Sequence, residues 1–182
     1  EHSQSPDVLP FPHPDVIQNL RRGNEVFIAD GTVRLEIIEE AAPVKALVKN
    51  GGTVSSFKGV NLPGVPIDRP VLTEVDKIAL QFGVEQEVDW IAISFVRTAE
   101  DTRYARSYLE SIGSRAPIMA KLERGEGVEN IDAILQGVNG VMVARGDLGV
   151  EIPMERVPIV QKEVVKRAND AAKVSVIATQ IL

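Results

Sequence analysis

From about residue 70 onward the chain alternates short, nearly continuous apolar runs with stretches of helical periodicity, and this alternation leaves few folds open. The runs are "WIAISFV" (90–96), "PIMAKLE" (117–123), "GVMVA" (140–144) and "VSVIATQ" (174–180). Strands apolar on both faces belong to parallel sheets covered by helices, and consecutive parallel strands need a crossover between them. The intervening segments supply it. Thr73 and Asp76 form a capping-box variant ahead of a helix whose apolar face is expected at Val75, Ile78, Ala79 and Phe82. Thr98 and Asp101 repeat the device before a helix through Tyr104, Ala105, Tyr108 and Leu109 that Gly113 ends. Further helices are expected from Val128 to Leu135 and roughly from Arg156 to Ala172. Strand and helix thus alternate as in the βα units of a barrel.

Up to residue 58 the pattern differs. "EVFIADGTVRLEII" sets Asp30-Gly31 between two runs rich in Val, Ile and Phe, a hairpin signal, and "PVKALVKNGGTVSSF" repeats the form around Asn50-Gly51-Gly52. A small antiparallel β domain over 1–58 is expected. The Gly- and Pro-dense "KGVNLPGVPIDRP" then leads into an α/β domain over 59–182.

With 44% hydrophobic residues the chain can build a real core. It has no apolar run near the ~18 residues that cross a bilayer, and its start has neither a basic nor an apolar signal region, which points to the cytoplasm and away from membranes. The net charge of −6 carries no basic cluster, so a nucleic-acid partner is not expected. Any anionic substrate must be held locally by cations, amides or a metal. The absence of cysteine excludes disulfides, thiolate metal sites and a cysteine nucleophile. His2 and His13 form no recognisable site. Glu1 in place of methionine points to a segment of a longer chain.

In βα barrels the chemistry sits at the C-terminal strand ends. Here those ends read Ser94-Phe95-Val96-Arg97, Lys121-Leu122-Glu123, Arg145-Gly146-Asp147 and Thr179-Gln180. Glu123 and Asp147 offer hard oxygen ligands on adjacent strand ends, a pair that suits Mg²⁺ shared with a substrate. The plainer alternative is that they only pair with Lys121 and Arg145. Lys121 and Glu123, two residues apart on a strand, share a face, and a cation beside a dication implies an anion between them. Gly146 permits close backbone approach, and "GDLG" is expected to present amides to a carboxylate or phosphate. The tripeptide Arg-Gly-Asp also invites an adhesion reading, which its place after a core strand argues against. "GEG" (125–127) is expected to be a turn, since it lacks nucleotide-loop spacing.

"KGVNLPG" (58–64), "FGVEQEVDWIAISFVR" (82–97), "AKLERGEGVENIDAIL" (120–135), "VMVARGDLGVEIPMERVPIVQK" (141–162) and "VIATQIL" (176–182) resemble, in order and spacing, the central part of the pyruvate kinase family. The resemblance implies a partial TIM-type (β/α)8 barrel with residues 1–58 as part of its β lid. It implies phosphoryl transfer from phosphoenolpyruvate to ADP, giving pyruvate and ATP. Glu123 and Asp147 would hold Mg²⁺ or Mn²⁺, and Lys121 would stabilise charge on the transferring group and the enolate. Arg145, Gly146 and Asp147 would bind the substrate carboxylate, and Thr179 would serve near the substrate in the protonation step. Lys58 and Asp30 would be lid residues on the nucleotide side. K⁺ dependence and a tetrameric parent are also implied. The family's first three barrel strands, most of its K⁺ site, the eighth strand and the C-terminal regulatory domain have no counterpart here.

One departure stands out. The family motif has isoleucine before the metal glutamate and asparagine after it, whereas "KLER" has Leu122 and Arg124, the latter an extra cation near the site. Two other readings stay open: a metal-dependent aldolase or lyase of pyruvate-like substrates, and a non-catalytic remnant or assembly module of the same fold.

Overall fold

The computed structural model describes residues 7–11, 13–67 and 69–179. They form two compact units, Glu1–Asp68 and Arg69–Leu182, each with its own core. The junction lies ten residues past the 58/59 position expected from composition. The reason is a short strand, Val60–Asn61, that pairs back into the first unit.

In that unit a short helix α1 (Pro14–Ile17) precedes strands β1 (Glu25–Ile28), β2 (Val33–Glu39), β3 (Lys45–Asn50) and β4 (Val60–Asn61). The antiparallel sheet has the order β3-β2-β1-β4. The first expected hairpin is present, with Ile28 opposite Val33 across a turn in which Ala29, Asp30 and Gly31 all have positive φ. The second is not. After Asn50 the chain forms no strand until Val60, and β3 pairs only with β2. "TVSSF" carries too little apolar surface for a further strand: Val54 and Phe57 are exposed. Val26, Ile28, Val33, Leu35 and Ile37 pack with Val16, Leu20, Leu62 and Val65 as this unit's core.

The second unit runs α2 (Glu74–Glu85), β5 (Ile91–Ile93), α3 (Ala99–Ser111), β6 (Ile118–Leu122), α4 (Gly125–Glu129), α5 (Ile131–Gly137), β7 (Gly140–Ala144), α6 (Arg145–Glu151), α7 (Val157–Asp170) and β8 (Val174–Ala178). Its four strands are parallel and ordered β5-β6-β7-β8, an open α/β sheet that is a partial barrel. One face carries Ile91, Ile93, Ile118, Ala120, Leu122, Val141 and Val143, which pack with Ala105, Leu109, Ile134 and Val164 of the helices. The other face, read from the ladder registers, carries Ala92, Met119, Lys121, Met142 and Val176.

Both expected capping boxes are formed. Thr73 accepts from the Asp76 amide and Thr98 from that of Asp101, each Asp returning a bond to the cap residue's N–H. Gly113 takes a positive φ just past α3, as a helix-ending glycine does. The apolar face of α2 is oriented differently from the expectation. Val75, Ile78 and Phe82 are 74%, 67% and 63% exposed, and Leu80 and Val84 pack on the core instead. Lys77, on the packed side, lies over the rings of Tyr104 and Tyr108, and the Tyr108 hydroxyl donates to the Lys77 carbonyl, so α3 sets the rotation of α2. "GEG" is the first turn of α4 rather than a loop, and the helix expected from Val128 begins three residues earlier and breaks at Asn130. A Cβ on Gly127 would stand 2.5 Å from the Val96 carbonyl oxygen, so glycine lets α4 pack against the segment that follows β5. Among the described residues no helix is long and apolar enough to cross a membrane.

Candidate active site

Strand β5 is shorter than its apolar run because the chain turns at Phe95, which adopts φ 55°. That turn aims the Phe95 N–H at Glu123 Oε2, 2.9 Å away. Glu123, one residue beyond β6, is only 2% exposed, so its carboxylate needs partners. The second is Lys121, whose ammonium lies 2.5 Å from Glu123 Oε1 and donates to Ser94 Oγ at 3.0 Å. Two ends of neighbouring strands thus make one charged cluster, on the face that the two-residue spacing of Lys121 and Glu123 requires.

Asp147 lies in the first turn of α6, directly after β7, half-buried. Among the described residues it makes no ion pair, whereas Arg145 donates to Gln161 Oε1 at 3.3 Å. Of the two plain pairings open from the sequence, Lys121 with Glu123 forms and Arg145 with Asp147 does not. The Arg-Gly-Asp tripeptide is helical and two of its three residues are half-buried, which is not the exposed mobile loop that adhesion needs. Gly146 is exposed; its N–H donates to Thr179 Oγ1 at 3.3 Å, and the Thr179 hydroxyl donates to the Ala178 carbonyl at 2.8 Å. Thr179, at φ 64°, therefore ties the end of β8 to the start of α6. Gln180 lies outside the described residues.

Asp30 and Lys58 belong to the first unit. Asp30 is exposed at the tip of the β1–β2 turn, and Lys58 is exposed on the segment between β3 and β4.

Glu123 and Asp147, on the ends of neighbouring strands, are the carboxylates that could hold a hard cation. Among the described residues no group of three or more His, Cys, Asp and Glu forms a closed metal cage. Two carboxylates are what Mg²⁺ commonly takes from a protein, with water and substrate oxygens completing its shell. The Phe95 amide fixes the orientation of the Glu123 carboxylate, as outer partners of metal ligands do.

Two residues at the site were not singled out from the sequence for these contacts. Ser94 meets Lys121, a contact available only once the β5–β6 register is known. Glu151, at the end of α6, meets Arg124 with Nε···Oε2 at 3.3 Å. The extra cation of "KLER" is therefore compensated by its own buried carboxylate.

The pyruvate kinase barrel-domain family matches residues 2–182. The chain is 43% identical over 170 residues to a pyruvate kinase of Clostridium perfringens, covering 92% of this chain and 36% of that protein. It is 42% identical over 182 residues to that of Geobacillus stearothermophilus, covering 98% and 31%, and 44% identical over 165 residues to that of Leishmania mexicana, covering 90% and 33%. The chain spans about a third of the length of the curated relatives it matches. With its parallel half-barrel and its charged strand ends, the chain belongs to the pyruvate kinase barrel-domain family.

Proposed function

We propose that this chain carries the phosphoenolpyruvate side of a pyruvate kinase active site, where a phosphoryl group passes to ADP and the enolate is protonated to pyruvate. The observation that carries the reading is the placement of Lys121 with Glu123, Asp147 and Thr179 on the ends of three consecutive strands of one sheet. Phosphoryl transfer asks a protein mainly for positioning and for neutralisation of spread charge. The Lys121 ammonium supplies fixed positive charge beside the transferring group. Arg145 and the backbone amides of Gly146 and Asp147 at the head of α6 receive the substrate carboxylate, the Gly146 N–H giving up its bond to Thr179 Oγ1 to do so. The Thr179 hydroxyl stands beside that turn, where the enolate carbon is protonated. Glu123 and Asp147 are the residues that would hold Mg²⁺ or Mn²⁺, which when bound neutralises oxygen charge on the substrate. Asp30 and Lys58 serve the nucleotide side; in the longer parent enzyme, whose other strands bring most of the K⁺ site, K⁺ is a further cofactor and a cytoplasmic homotetramer is the working state.

The 43% identity to enzymes named pyruvate kinase favours this over an aldolase or lyase. The test is Mn²⁺ binding to the purified chain with and without oxalate, an enolpyruvate mimic, for the native sequence and Asp147→Asn. Oxalate is expected to tighten Mn²⁺ binding, and the substitution to abolish it. Mn²⁺ affinity that neither oxalate nor the substitution changes in a folded chain would favour the non-catalytic alternative.

A further inference from the structure

A lysine ammonium sits on four flexible carbons and carries three N–H donors, so one partner alone leaves it free to sweep an arc. Lys121 has two. One donor goes to Glu123 Oε1 and another to Ser94 Oγ, which leaves a third for an anion. The two partners differ in kind. Glu123 is a carboxylate suited to a divalent metal, and once its charge is shared it holds an ammonium less strongly. The neutral Ser94 oxygen is indifferent to that change.

The position of Ser94 follows from the sheet. The β5–β6 ladder pairs Ile93 with Ala120, and the next step brings Ser94 beside Lys121. The chain then leaves at once through Phe95, whose backbone N–H holds Glu123. A single turn thus grips both charged groups, one through a hydroxyl and one through an amide.

We infer that Ser94 is a positioning residue for the proposed transfer: through its hydroxyl it aims the Lys121 ammonium at the transferring phosphoryl group. It acts through Lys121 and touches no reacting atom. The inference rests on the phosphoryl-transfer reading above, and the test separates the two.

The variants are Ser94→Ala, Ser94→Thr and Lys121→Met. The first readout needs no substrate or metal: the ¹⁵N-correlated ammonium resonance of Lys121, assigned by its disappearance in Lys121→Met. The bond to Ser94 slows its exchange with water, so the resonance is expected to broaden away in Ser94→Ala and persist in Ser94→Thr. The second is steady-state turnover of phosphoenolpyruvate and ADP by the protein. Ser94→Ala is expected to lower kcat by about tenfold with KM for phosphoenolpyruvate within about twofold, the signature of an interaction made in the transition state, and Ser94→Thr to restore it. Native kcat in Ser94→Ala alongside an inactive Lys121→Met overturns the positioning role and leaves the reaction standing. Native turnover in Lys121→Met overturns the reaction reading itself, and the inference with it.

Discussion

The pair Arg124–Glu151 joins the residue after Glu123 to the last residue of the helix that starts at Arg145. Arg124 is 8% exposed, and the two side chains are 10% and 7% exposed, so neither charge has water to fall back on. Replacing Arg124 by Met keeps the side-chain stem and removes the cation that lies 3.3 Å from the Glu151 carboxylate. Breaking one side of such a buried pair costs about 3–5 kcal/mol, whereas replacing both partners by apolar groups is often neutral. With a urea m-value of about 2 kcal/mol per molar for a domain of this size, a loss of about 4 kcal/mol lowers the midpoint by roughly 2 M. Trp90, the sole tryptophan and adjacent to β5, reports unfolding of this unit by its fluorescence. The expected series is a large fall for Arg124→Met, a similar one for Glu151→Leu, and recovery to within about 1 kcal/mol of native for the double variant. If the two single losses simply add in the double variant, the pair is not coupled and the reasoning fails.

Other substitutions probe other parts of the molecule. Gly127→Ala sets a methyl against the Val96 carbonyl oxygen, a backbone atom that cannot swing away, and is expected to cost about 1–3 kcal/mol in the same urea titration. A native midpoint would show that α4 shifts freely. Phe82→Glu, by contrast, changes a side chain 63% exposed on α2 and is expected to move the midpoint by less than about 0.5 kcal/mol while raising solubility in ammonium sulfate. A loss of several kcal/mol would mean that this face is packed in solution.

The strands β6, β7 and β8 were legible because buried parallel strands are written as apolar runs, and each lies within or on the run that announced it. The capping boxes were legible because Thr and Asp three residues apart bond locally. The shared face of Lys121 and Glu123 followed from strand alternation alone. What stayed hidden depends on contacts between distant residues. The rotation of α2 is set by Lys77 against Tyr104 and Tyr108, and periodicity cannot tell which of two partly apolar faces a neighbour will take. The turn at Phe95 cuts its apolar run short to serve Glu123, and a left-handed phenylalanine has no local signature. "GEG" read as a turn because it lacks nucleotide-loop spacing, yet it opens α4, where close approach to the Val96 carbonyl requires glycine at 127. Arg124 read as a stray cation until its partner, 27 residues away, was placed beside it.

The second sheet has each strand lying beside its predecessor in the chain, β5-β6-β7-β8. Seen from the ribosome, each strand after β5 emerges to find a hydrogen-bonding partner already made and the covering helix of the previous unit already in place. No strand waits for a distant segment, and each ladder closes over only the loop and helices just synthesised. Growth by accretion, one βα unit on the last, is the assembly order this topology permits, each new strand taking the edge its predecessor leaves.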